Sequence, residues 1–185
     1  MRRLRFLLPA LALTALAAAA PLTLPATSSA AAAPCHGANL KPSAASAAAV
    51  RQATLCLLNR ERARHGLPRL HQHVSLSNAA RKYARLMVSK RFFDHVSPAG
   101  STMSQRIKRT HYLRHTHAWS LGENIAWGSG GSATPARIVN AWMHSAGHRA
   151  NILNGAFREI GIGIAVGAPT GGSGATYVNE FGRRG

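Results

Sequence analysis

Glu159 to Val166 reads Glu-Ile-Gly-Ile-Gly-Ile-Ala-Val, with bulky isoleucine at every second position and glycine or alanine between. Alternation of period two predicts a strand with one bulky face and one bare face. Bare glycines let a helix or another backbone approach closely. A long Gly-rich turn over 167–174 follows, and Thr176-Tyr177-Val178-Asn179-Glu180-Phe181 reads as the returning strand.

The elements before this hairpin read as helices. Over Ala47 to His65, Val50, Ala53, Leu57 and Leu58 recur at helical spacing, Asn59, Arg60, Arg62 and Arg64 fall largely elsewhere, and Ser43 or Ser46 is available as cap. Gly66 and Pro68 stop this helix. A second helix, capped by Ser75 or Ser77, carries Leu76, Ala79, Ala80, Tyr83, Ala84, Met87 and Val88 on one face. Ser101 or Thr102 opens a short helix with Met103 and Ile107, and Thr134-Pro135 opens another, with Ile138, Val139, Trp142 and Met143 as its stripe. Ser145 ends that helix and caps a further one running through Leu153. Helices first and a hairpin last predict an α+β fold, with helices on a small antiparallel sheet.

The first 33 residues combine a basic head, an apolar run from Phe6 to Ala20 and a small-residue exit, the pattern of a secretory signal peptide. Residues 34–44 read as a lead-in and 45–185 as one domain. No apolar stretch in the mature chain is long enough to span a bilayer. In an exported chain the isolated pair Cys35 and Cys56 is most simply a disulfide, and closing about 20 residues contributes on the order of 3 kcal/mol.

Lys and Arg number 23 against 5 Asp and Glu, giving a formal net charge of +18. Such a surface concentrates near polyanions. For an exported protein, anionic cell-envelope material or lipid is the expected partner and nucleic acid is not. The Arg-rich composition of a GC-rich genome explains the same excess without function, since the basic residues form no compact tract. With so few acids, each placement is informative. Glu61 lies among arginines and reads as an ion pair, and Glu180 reads as structural. Asp94 stands beside His95 to orient it or to cap its loop. Glu123 and Glu159 sit beside glycine and apolar residues, where a carboxylate needs a partner, and ten histidines are available. Imidazole with carboxylate supports metal binding, acid–base catalysis or a purely structural hydrogen-bond network. His144 and His148 lack an H-E-x-x-H frame, and no G-x-S-x-G elbow surrounds Ser145.

Four blocks then carry a resemblance. They are Leu57-Leu58-Asn59-Arg60-Glu61-Arg62-Ala63-Arg64-His65-Gly66-Leu67-Pro68, Phe93-Asp94-His95-Val96-Ser97-Pro98-Ala99-Gly100, Gly122-Glu123-Asn124-Ile125-Ala126, and Trp142 to Leu153 followed by Glu159-Ile160-Gly161-Ile162-Gly163. Together the chain resembles the bacterial, SCP-like extracellular branch of the CAP superfamily (cysteine-rich secretory, antigen 5 and pathogenesis-related 1 proteins), over about residues 45–182. The resemblance implies a three-layer α-β-α sandwich and a cleft tetrad of His95, Glu123, His148 and Glu159. It implies a divalent cation such as Zn2+ at His95 and His148, in a secreted binding module expected to be monomeric. The alternatives are a metal-assisted hydrolase using His148 and Glu123, and a lipid- or sterol-binding protein. The last strand departs from the bacterial pattern, keeping the acid and the Phe at Glu180-Phe181 but not the Trp.

Overall fold

The computed structural model describes residues 33–185; the signal-peptide reading, up to the first described residue, lies outside them. Five helices and four strands follow in order: α1 (Ala47–Arg64), β1 (His71–Gln72), α2 (Val74–Lys90), α3 (Met103–Lys108), β2 (Trp119–Gly128), α4 (Pro135–Met143), α5 (Ala146–Ile152), β3 (Glu159–Val166) and β4 (Ala175–Arg184). The sheet order is β1-β3-β4-β2. β3 and β4 form the expected antiparallel hairpin, and β2 pairs antiparallel with β4 along its whole length. The sheet is not wholly antiparallel, because the two-residue β1, unanticipated from the sequence, runs parallel to β3 at Glu159 and Ile160.

The alternation in β3 sorts the layers of this α-β-α sandwich. Ile160, Ile162 and Ile164 enter a core with α1, α4 and α5 residues, including Val50, Leu58, Trp142 and Ile152. On the other face α2 packs through Ala80, Tyr83, Ala84 and Met87 against Ile125, Ala165 and Val178. A Cβ at Gly161 would collide with the backbone of Leu76, and one at Gly163 with the backbone of Ala80. The bare face is therefore the seat of α2, and its main chain lies directly on the strand.

Four helix starts differ from expectation, and at α1 and α4 the N-cap residues Ser46 and Thr134 make no side-chain capping bond. α2 is capped by His73, whose Nδ1 accepts from the Ser75 amide at 3.1 Å, so neither serine caps it. At α5, Ser145 stands at the N-cap position but its hydroxyl makes no capping bond. α3 begins as expected at Thr102, which forms a reciprocal capping box with Gln105. In α1, Asn59 and Arg62 are buried and do not take the solvent face. Asn59 brackets Leu70, accepting from its amide at 2.7 Å and donating to its carbonyl at 3.0 Å. The fully buried Arg62 guanidinium donates to the carbonyls of Pro68, Ile152, Asn154 and Phe157. It thus satisfies carbonyls at the end of α5 that the helix itself leaves open. Cys35 and Cys56 are bonded, with Cα atoms 5.6 Å apart, and pin the lead-in to α1.

Gly163→Ala should force α2 off the sheet and lower stability by about 1–3 kcal/mol. Gly155→Ala, where an added Cβ meets only the side chain of Leu67 at 3.5 Å, should cost less. Urea denaturation midpoints of the two variants check this. Reduction of the disulfide should lower the midpoint by the equivalent of about 3 kcal/mol.

Candidate functional site

His95 lies on the loop between α2 and α3, and buried groups fix that loop. The Tyr83 hydroxyl donates to the Asp94 carbonyl at 2.6 Å, and the Asp94 carboxylate accepts from the Val96 amide at 2.9 Å. Asp94 therefore shapes the loop and makes no bond to the His95 ring. Arg106 of α3 donates to the carbonyls of His95 (3.0 Å) and Ser101 (2.8 Å). Its guanidinium stacks on the Tyr83 ring, 3.3 Å from the centroid.

The same Arg106 holds Glu123, whose carboxylate is nearly inaccessible in the middle of β2. Glu123 Oε2 accepts from Arg106 at 2.5 Å and Oε1 from His95 Nδ1 at 2.8 Å. Glu180 stands directly opposite Glu123 in the β2–β4 register and is wholly buried. Its nearest cation, Arg106, is 4.0 Å away, and ionised it would have no hydrogen-bond donor. Burial first, and then the charge of Glu123, hold the Glu180 carboxyl well above the usual range. Burial with no donor in reach favours the protonated form of Glu180.

His148 comes from the opposite layer, in the first turn of α5. The Ser145 hydroxyl, free of any capping role, lies 2.9 Å from His148 Nδ1. The His148 carbonyl accepts from Asn124 Nδ2 at 2.9 Å, and Asn151 Nδ2 donates to Asn124 Oδ1 (2.9 Å) and to the Glu123 carbonyl (3.2 Å). The His148 ring lies 6.5 Å from the indole of Trp142, and that indole donates to the Ile125 carbonyl. Three strand residues, Glu123 to Ile125, thus connect the two helical layers.

The imidazoles differ electrostatically. The hydrogen bond to Glu123 raises the His95 pKa against the opposing effect of burial. Burial, and then the nearby charge of His95, lower that of His148. Beside His95 and Glu123 a cleft of about 290 Å³ is lined also by Val96, Thr102, Met103 and Ser104, and His148 is not among its walls.

The structure bonds His95 to Glu123, ties His148 through its carbonyl to the adjacent Asn124, and leaves Glu159 apart. Glu159 pairs with Gly182, whereas Glu123 pairs with Glu180, so the two glutamates lie two residues along and two strands across from each other. At sheet spacings this separates their backbones by about 11–12 Å. Glu159 has its own partners: Arg184 at 2.8 Å, the Tyr112 hydroxyl at 2.5 Å and His73 at 4.0 Å. Burial raises its pKa, but the bonds from Arg184 and Tyr112 outweigh this and leave it lowered. Among the described residues, no group of three or more His, Cys, Asp or Glu side chains is arranged to hold a metal ion.

Two members of the site escape sequence reasoning. Nothing distinguishes Arg106 among 23 basic residues, and its signal is only that it precedes Ile107 on the inner side of a short helix. Glu180 was legible as a rare acid in an apolar strand, but its register opposite Glu123 was not.

The comparisons with known proteins converge. Residues 55–179 match the cysteine-rich secretory protein family, CAP. The chain is 38% identical over 125 residues to the uncharacterized protein YkwD of Bacillus subtilis, covering 68% of this chain and 44% of YkwD. It is 28% identical to the uncharacterized membrane protein YlbC of the same organism, covering 60% of this chain and 30% of YlbC. The chain therefore spans less than half the length of these curated relatives. Among solved structures, it is similar to an extracellular protein containing an SCP domain from Bacillus anthracis, with TM-score 0.57, 26% identity and coverage of 73% of this chain and 43% of that one. It is likewise similar to an outer surface protein of Borrelia burgdorferi, with TM-score 0.58, 25% identity and coverage of 69% of this chain and 87% of that one.

Arg106→Ala should leave Glu123 buried without its cation and cost about 3–5 kcal/mol, read from denaturant midpoints. The His95 pairing carries a pH signature. Its folded pKa is raised, so the stabilisation is fully present below the unfolded value of 6.5 and is lost as pH rises through the folded value. With chelator present, the stability difference between wild type and His95→Gln should therefore shrink from neutral toward alkaline pH.

Proposed function

The chain belongs to the cysteine-rich secretory protein (CAP) family, and on that premise we propose that it is an exported binding module whose cleft takes a divalent cation at His95 and His148. The supporting observation is the anchoring of both rings by the same atom. Nδ1 of His95 is engaged by Glu123 and Nδ1 of His148 by Ser145, so Nε2 of each ring is left for a ligand. An outer partner that fixes tautomer and ring orientation is the usual companion of a metal-binding histidine. Burial, and then the charge of His95, lower the pKa of His148 and so favour the neutral imidazole that a metal ion requires. Imidazole suits zinc and its borderline neighbours. Two protein donors are fewer than the three of catalytic zinc sites, which points to exchangeable binding completed by water or a bound ligand.

The same contacts weigh against hydrolysis. Glu123 would serve as base, yet its two oxygens already accept from His95 and Arg106. Glu159 is committed to Arg184 and Tyr112. Such a carboxylate orients a ring; it is poorly placed to remove a proton from water. A second reading rests on a different cavity. About 360 Å³ lies between α2 and α3, with Ala79, Tyr83, Leu86 and Ala99 in its lining and Lys82 and Arg109 as cations. Apolar walls with a few polar groups suit an acyl chain with an anionic head. Among the described residues no helix is long and apolar enough to cross a membrane. Export and residence at the envelope are part of this proposal.

Zinc should raise the melting temperature of wild type by several degrees and leave a His95→Ala/His148→Ala variant unmoved. Equal shifts in both would assign the metal to other histidines. The lipid reading expects bound lipid in native mass spectra, displaced by Ala79→Trp.

A further inference from the structure

A concavity of the described residues lies remote from the histidine cleft. It encloses about 650 Å³ between the loop after α3, the start of β3 and the end of β4, and His71, Arg114, His115, Arg158, Glu159 and Arg184 are among its walls. Arg183 also lines it, so four guanidinium groups face one acidic side chain. That carboxylate is already neutralised: Glu159 accepts from Arg184 Nε at 3.2 Å and Nη2 at 2.8 Å, and from the Tyr112 hydroxyl. The Glu159 contact also holds Arg184 in place, and the face of Tyr112, 4.8 Å from the guanidinium carbon, supports it from the side. Arg158 is likewise fixed, through Nη1, by the carbonyls of Gly155 and Phe157. Both groups keep further N–H donors beyond these bonds.

We propose that this concavity is a binding site for a ligand carrying two or more linked phosphate groups. Guanidinium forks match the oxygens of phosphate and bind them in pairs. The cations come from three separate segments, so one small anion would not reach them all. The cavity is also several times the volume of a single phosphate and opens to solvent. A chain of phosphates could lie across it and meet Arg114, Arg158, Arg183 and Arg184 in turn. Tyr112, by holding Glu159, keeps the opposing acidic side chain at the wall. The site shares no residue with the His95–His148 cleft, so it stands or falls independently of the metal reading.

A control is built into the fold. Arg51, Arg81 and Arg85 form a second basic cluster beside Ile164 to Val166, at the far end of β3, about 20 Å along the strand. Calorimetric titration of the full chain with inorganic tripolyphosphate at about 0.1 M salt should give one site. Orthophosphate should bind at least about tenfold more weakly. Arg114→Gln/Arg183→Gln removes two exposed cations and should weaken tripolyphosphate at least about tenfold. Arg51→Gln/Arg85→Gln removes the same charge elsewhere and should change affinity by less than about threefold. Equal losses in the two variants would mean diffuse attraction to the basic surface and would overturn the site, as would equal affinity for orthophosphate. Melting curves without ligand confirm that each variant folds. Unchanged tripolyphosphate binding by the His95→Ala/His148→Ala variant separates this site from the cleft; its loss there would overturn the assignment.

Discussion

The main chain of α2 lies directly on Gly161 and Gly163, and most of the molecule follows from that contact. A side chain at either position would hold the helix away from the sheet. With the helix seated, Tyr83 faces the sheet and its ring becomes the platform for Arg106. Arg106 then reaches both the carbonyl of His95 and the carboxylate of Glu123. The spacing between a strand and a helix thus sets the position of a cation, and the cation sets the position of the cleft histidine.

The burial of charge at this site is stable only because each group has a counterpart. Glu123 has the Arg106 cation and the His95 ring, and Glu180 avoids an uncompensated charge by keeping its proton. Burying two ionised carboxylates against one guanidinium would be costly. The outcome is two carboxyl groups in register, one paired with Arg106 and the other held toward its protonated form by burial. On the opposite layer Arg62 plays a comparable role without any carboxylate, gathering backbone carbonyls from the end of α5 and the turn before β3. Both arginines are interior scaffolding, whereas the other arginines among the described residues mostly face water.

The two basic environments of the protein therefore differ in kind. At the cleft, cationic groups are consumed by internal partners and the accessible groups are imidazole nitrogens. At the start of β3 and the end of β4, guanidinium groups outnumber the one acidic side chain and remain open to solvent. Net charge alone cannot make this distinction, because it counts Arg106 and Arg183 equally.

Much of the architecture was legible in local sequence. The alternation from Ile160 to Ile164 defined a strand with a bare face, the α2 stripe of Leu76, Ala80, Tyr83 and Met87 defined its partner, and Thr102 and Thr134 marked helix starts. These signals are local periodicities, and the backbone must obey them wherever the segment goes. The resemblance placed His95, Glu123 and His148 on ordered motifs. What it could not supply was register. Pairing Glu123 with Glu180 and Glu159 with Gly182 puts the two glutamates in different neighbourhoods, and only strand pairing decides this. The same holds for Arg62 and Arg106, which are indistinguishable by composition from solvent-facing arginines. Sequence determined which faces are apolar; tertiary structure determined which charges are enclosed, because a long side chain goes inward only where distant carbonyls and carboxylates converge on it.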